Sequence, residues 1–76
     1  ATHVDVRVLF KEALDNFSTN IIVAHNHPTG VLNPSEADIR MTKNIQHAGE
    51  ILDIKLLDHI IIGENSFYSF AEAGLL

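Results

Sequence analysis

His25 and His27 flank a single asparagine at the end of the apolar run Ile21-Ile22-Val23-Ala24, and Ser35 and Asp38 follow shortly after. In an extended chain alternate side chains share a face, so the two imidazoles can aim at one point just past the strand's end. Asp38 opens an apolar stripe at helical spacing, continued by Met41, Ile45, Ala48 and Leu52. A carboxylate on the buried face of a helix is costly unless it is paired or holds a metal. Two imidazoles and one carboxylate suit Zn²⁺, which in catalytic sites takes three protein ligands and leaves a fourth position for water. A capped helix with a solvated Asp and two surface histidines is the plainer reading of the same residues. The spacing of Ser35 and Asp38, on a helix that the sequence itself starts, favours the metal site.

The elements that must position these residues can be read around them. Asn20 to Ala24 is a β-branched run without alternation, which predicts a strand buried on both faces. Asn33-Pro34-Ser35-Glu36 predicts a helix start, with Asn33 as N-cap, Pro34 in the first turn and Glu36 as the reciprocal capping partner. The helix is expected to run from Pro34 to about Leu52, interrupted only by Gly49. Ile54 to Ile62 is the longest strand and ends at Gly63. Strand, helix and strand in that order predict a parallel pair with a right-handed crossover.

The stretch resembles a known family. His25-x-His27, then Ser35, then Asp38 is similar to the H-x-H-x₇-S-x₂-D signature of the JAMM (JAB/MPN) metalloprotease-like family. HNHPTG, PSEAD, LLDHIIIG and YSFAEAGLL resemble its RadC-type branch, over nearly the whole chain from Thr2 to Leu76. The resemblance implies an α/β fold, a small mixed sheet with helices on both faces, and residues 1–76 as the C-terminal part of the domain, lacking its N-terminal strands. It implies zinc held by His25, His27 and Asp38, with Ser35 stabilising the bound water or the developing oxyanion. It also implies a general-base Glu on an earlier strand. Glu12 lies in a helical stretch and is a poor candidate for that role. The expected function is a zinc-dependent hydrolase of metallopeptidase type, weak in this piece alone, acting on a peptide or isopeptide. A non-catalytic scaffold domain and a DNA-repair-associated factor are the alternatives.

Composition narrows these choices. Seventy-six residues support one small domain, and 46% hydrophobic content argues against disorder. There is no cysteine, so a thiolate zinc site and the cysteine-dependent zinc deaminase chemistry are excluded, and a cytoplasmic location is expected. The tripeptide His25-Asn26-His27 is not the HNH nuclease motif, which spreads its residues over a hairpin and helix. Net charge is −5, and the five basic residues are scattered, so no nucleic-acid surface emerges. No apolar run approaches the roughly 18 residues of a membrane span.

The flanks complete the reading. Thr2-His3-Val4-Asp5 resembles a capping box opening a helix over Val4 to Asn16, with Val6, Leu9, Phe10, Ala13 and Phe17 on its apolar side. His47 is expected to be solvated. Phe67 to Phe70 predicts a short antiparallel strand, and the chain can close with a helical turn. Asp58 and His59 interrupt the longest strand and must face opposite sides of the sheet. Ligating histidines usually donate their second N–H to a neighbouring group, so Asp58, His59 or Asn26 could orient one of them. An exposed strand edge where further strands belong predicts self-association.

Overall fold

The computed structural model describes residues 5–27 and 31–76. Thr2, His3 and Val4 of the expected capping box, and Pro28, Thr29 and Gly30 of the HNHPTG stretch, lie outside the described residues. The first helix, α1, spans Val6–Asp15, and Asp5 is its N-cap, accepting the Arg7 backbone N–H at 2.9 Å. The helix starts later than the sequence spacing predicts because Asp5 acts as the cap. At its other end Phe17 turns left-handed, with φ of 54°, and is 92% exposed. Phe17 is thus not part of the apolar face, which consists of buried Phe10 and Ala13 with Val6 and Leu9 beside them.

Strand β1 spans Asn20–Asn26 and pairs in parallel with β2, Lys55–Ile62; β3, Phe67–Ser69, pairs antiparallel with β2. The sheet order is β1-β2-β3, an open three-stranded sheet. Between β1 and β2 runs α2, Glu36–Leu52. Its N-cap is Ser35 and not Asn33. The Ser35 hydroxyl accepts the Asp38 N–H at 3.1 Å, and the Asp38 carboxylate accepts the Ser35 N–H at 2.9 Å. That reciprocal box satisfies two orphan donors at the helix start, whereas Glu36 is exposed and closes no box.

The core contains Phe10 and Ala13 of α1, Val23 of β1, Ile45 of α2, and Ile54 and Leu56 where β2 begins. Both helices therefore cover the same face of the sheet, and the expectation of helices on both faces is corrected. Val23 is buried, whereas Ile22, 63% exposed, and Ala24 on the opposite face are open, so β1 is not buried on both faces. The β-branched run suggested otherwise because side-chain type reports strand propensity more directly than the number of covered faces.

Two local features set the register. Asp53 turns left-handed, with φ of 61°, and Ile54 N–H donates to the Gly49 carbonyl at 2.7 Å, so the chain folds back tightly off α2. A Cβ at Gly49 would collide with the Ile54 carbonyl oxygen, which explains a glycine in the helix's last turns. Within β2 the pairing slips, Ile21 facing Leu56 and Ile22 facing Asp58. The extra residue, Leu57, re-phases the strand, so that Leu56, His59 and Ile61 are all buried despite their odd spacing. The bulge thereby turns His59 inward toward α2.

Candidate metal centre

The end of β1 and the start of α2 meet at the three residues singled out by their spacing. One ligand atom each of His25, His27 and Asp38 lies within 4.8 Å of the other two. His25 Nε2 stands 3.4 Å from Asp38 Oδ1, and His27 Nε2 stands 3.2 Å from Asp38 Oδ2. Ligand atoms about 2.0–2.1 Å from a tetrahedral Zn²⁺ stand about 3.3–3.4 Å apart, so the spacing fits. Side-chain exposure is 10% for His25, 15% for Asp38 and 20% for His27, leaving the cluster sheltered but open on the His27 side.

Each side chain is held from behind. The β1 ladder continues past its last residue, with His27 N–H donating to the Ile62 carbonyl at 3.1 Å. His27 Nδ1 lies 2.6 Å from the Val31 carbonyl and must carry the proton there, since a carbonyl only accepts. A neutral His27 then presents a bare Nε2 to Asp38. His25 Nδ1 lies 2.7 Å from His59 Nε2, and His25 Nε2 is a buried nitrogen without a hydrogen-bond partner among the described residues. Two imidazole lone pairs and a carboxylate thus face one another, an arrangement that asks for a cation.

The electrostatics agree. Burial lowers the pKa of His25, opposed by the Asp38 charge, and favours the neutral, ligating imidazole. Burial works to raise the Asp38 pKa, but the Ser35 backbone and hydroxyl hydrogen bonds and the two histidines prevail and hold it low. His59 is fully buried, and burial with the neighbouring His25 pushes its pKa down to about 4. Its ring stacks on Phe70, 4.6 Å between centroids and 12° between planes.

Of the residues expected to orient a ligand, His59 touches the cluster. Asn26 is exposed and pairs opposite Ile62, and its position in the strand turns it away from both histidines. Asp58 points to the chain's end. Its carboxylate accepts the Ser69 hydroxyl at 2.6 Å and the Ala71 N–H at 3.0 Å, and pins the last turn to β2. His47 is exposed, as expected. Sequence reading passes over Thr42, whose hydroxyl lies 2.5 Å from His59 Nδ1. Its place four residues after Asp38, on the buried helix face, is the signal that could have found it.

A family model described as the RadC-like JAB domain matches residues 1–75. The chain belongs to that family. Among similar proteins, the UPF0758 protein of Flavobacterium johnsoniae is 57% identical over 74 residues, covering 97% of this chain and 32% of the relative. The UPF0758 protein of Clostridium botulinum is 52% identical over 73 residues, 96% of this chain and 32% of the relative. That of Porphyromonas gingivalis is 45% identical over 76 residues, 99% of this chain and 34% of the relative. The chain thus spans about a third of the length of the curated relatives it matches. As a RadC-like JAB domain it is a small mixed α/β unit carrying a His-His-Asp cluster able to hold a metal ion.

Proposed function

We propose that this RadC-like JAB domain is part of a zinc-dependent hydrolase of the metallopeptidase type. The observation that carries the reading is the convergence of His25 Nε2, His27 Nε2 and the Asp38 carboxylate, two imidazole lone pairs beside one negative charge. Zn²⁺ bound there would polarise a carbonyl and lower the pKa of its water toward about 7. The chain's own contributions are distinct. His25 and His27 supply neutral nitrogen ligands, and Asp38 supplies the charge that offsets the cation. Ser35 Oγ already accepts the Asp38 N–H, so its own proton is free to donate outward, and the residue is exposed. A hydroxyl donor so placed can stabilise an oxyanion developing at the metal site.

Among the described residues the metal-binding cluster consists of His25, His27 and Asp38, and a proton shuttle must be sought beyond it. Glu12 lies on the exposed side of α1 and borders the groove between α1 and β1 with Asn16, Ser18 and Ile22, apart from the His-His-Asp cluster. A general-base carboxylate elsewhere in a longer protein is therefore part of the proposal, and the 76-residue piece alone is expected to turn over weakly. The substrate class proposed is a peptide or isopeptide.

Metal analysis of the purified full-length protein, followed by peptide and isopeptide cleavage with and without chelator, tests the reading. One equivalent of zinc and chelator-sensitive cleavage are expected. Zinc without cleavage would point to a non-catalytic scaffold, and a protein that takes up no metal would end the proposal.

A further inference from the structure

Behind the metal centre, Asp38, Thr42, His59 and His25 form a closed chain of contacts whose proton order follows from one end. The Asp38 backbone carbonyl can only accept, so the Thr42 hydroxyl donates to it, at 2.8 Å. A hydroxyl has one proton. Thr42 Oγ1 can therefore only accept from His59 Nδ1, 2.5 Å away. A neutral imidazole carries one N–H, so His59 Nε2 is bare and accepts from His25 Nδ1 at 2.7 Å. A neutral His25 then has its lone pair on Nε2, the atom 3.4 Å from Asp38 Oδ1.

We propose that Thr42 and His59 are positioning residues that lock His25 in the tautomer whose Nε2 faces the metal. The inference rests on the metal-site reading but can fail independently of it. Reversing the order would send the Thr42 proton to His59 and leave the hydroxyl and carbonyl oxygens as two acceptors in close contact. Both Thr42 and His59 are buried, Thr42 at 1% exposure and His59 at 0%, so water cannot repair such a mismatch. A half-turn of the ring in its plane against Phe70 offers no escape, since it would point carbons at both Thr42 and His25. The relay also crosses three elements. It starts at the first turns of α2, passes through β2 and ends on β1, so it ties the helix-borne ligand to a strand-borne one. Removal of such partners of ligating histidines typically weakens metal binding about 10–100-fold.

The test uses nitrogen-15 NMR of the histidine side chains at neutral pH in the metal-free protein, and Zn²⁺ titration against a competing chelator. The wild type should show His25 protonated at Nδ1. His59→Phe keeps a ring against Phe70 but removes the acceptor. It should lose that tautomer preference and weaken Zn²⁺ binding about 10–100-fold. His59→Gln, with an amide oxygen available near the position of Nε2, should recover much of the affinity. Thr42→Val should act in the same direction as His59→Phe and Thr42→Ser should restore binding. That pair decides the matter if His59→Phe does not fold. Wild-type His25 protonated at Nε2, or unchanged Zn²⁺ affinity in both His59→Phe and Thr42→Val, would overturn the relay and leave the metal reading standing. A wild type that binds no Zn²⁺ yet shows the Nδ1–H tautomer, lost in His59→Phe, would support the relay and refute the metal reading.

Discussion

Asp38 closes the capping box of α2 with Oδ2, the same oxygen that faces His27 at 3.2 Å. Helix start and proposed metal ligand are therefore one carboxylate, and Ser35 serves the cap from the other side. Substitutions can separate the roles. Asp38→Asn keeps the size but removes the charge that offsets Zn²⁺, so Zn²⁺ affinity should fall in a chelator-competition titration. Ser35→Ala removes a cap acceptor, at about 1 kcal/mol of stability. It should leave zinc stoichiometry intact and cut turnover of the full-length protein by roughly 10²–10³, the usual cost of losing an oxyanion donor. Loss of zinc in Ser35→Ala together with full zinc and activity in Asp38→Asn would reverse the assignments. His59 is expected to make the metal-free domain acid-sensitive. Burial pushes its pKa down to about 4 in the fold, against about 6.5 for a free imidazole, so the unfolded chain binds more protons between those values. Stability should fall as pH drops from about 6.5 to about 4, by on the order of 2–3 kcal/mol, and His59→Phe should flatten that slope in urea melts.

At the scale of elements, the return from α2 to β2 depends on backbone meeting backbone. Gly49 is unfavourable by about 1 kcal/mol against Ala in an isolated helix. Here Ala would drive its methyl into the Ile54 carbonyl, whose residue is itself tied to Gly49 by the 2.7 Å hydrogen bond. Overpacking of this kind costs about 1–3 kcal/mol. Gly49→Ala should therefore destabilise the domain in denaturant titrations despite its better helix propensity. A more stable variant would mean that the α2–β2 turn yields readily. The bulge at Leu57 is the other decisive element. Without it His59 would take the phase of Asp58, and no imidazole of β2 would reach His25.

For the whole molecule, the uncovered parts are as informative as the core. Among the described residues no strand pairs with the outer edge of β1, and beside it runs an apolar groove of about 380 Å³ lined by Leu9, Ala13, Ile21 and Ile22. An unpaired edge with exposed apolar neighbours is a template for association. The 76-residue chain is expected to self-associate through this edge. Sedimentation should show mass rising with concentration, and Ile22→Lys should shift the population to monomer. A wild type that stays monomeric at high concentration would remove this prediction. No helix among the described residues is long and apolar enough to cross a membrane.

The candidate ligand types and the elements bearing them were legible in the sequence because they follow from local rules. Alternation along a strand aims His25 and His27 together, and the helical period puts Asp38 in line with Ile45. The strand–helix–strand order required the parallel pairing that brings the end of β1 beside the start of α2. What local rules could not supply was the frame of the cap, the number of covered faces and the partner behind the site. Both N-P-S-E and S-E-A-D can open a helix, and only the folded backbone shows Ser35 and Asp38 closing the box. The β-branched run of β1 suits one covered face or two, and the shared core of α1 and α2 decided for one. Asp58 and His59 were equivalent on paper as polar residues in an apolar strand. A one-residue slip in pairing, a property of two strands together, turned His59 toward His25 and Thr42 and sent Asp58 to the last turn.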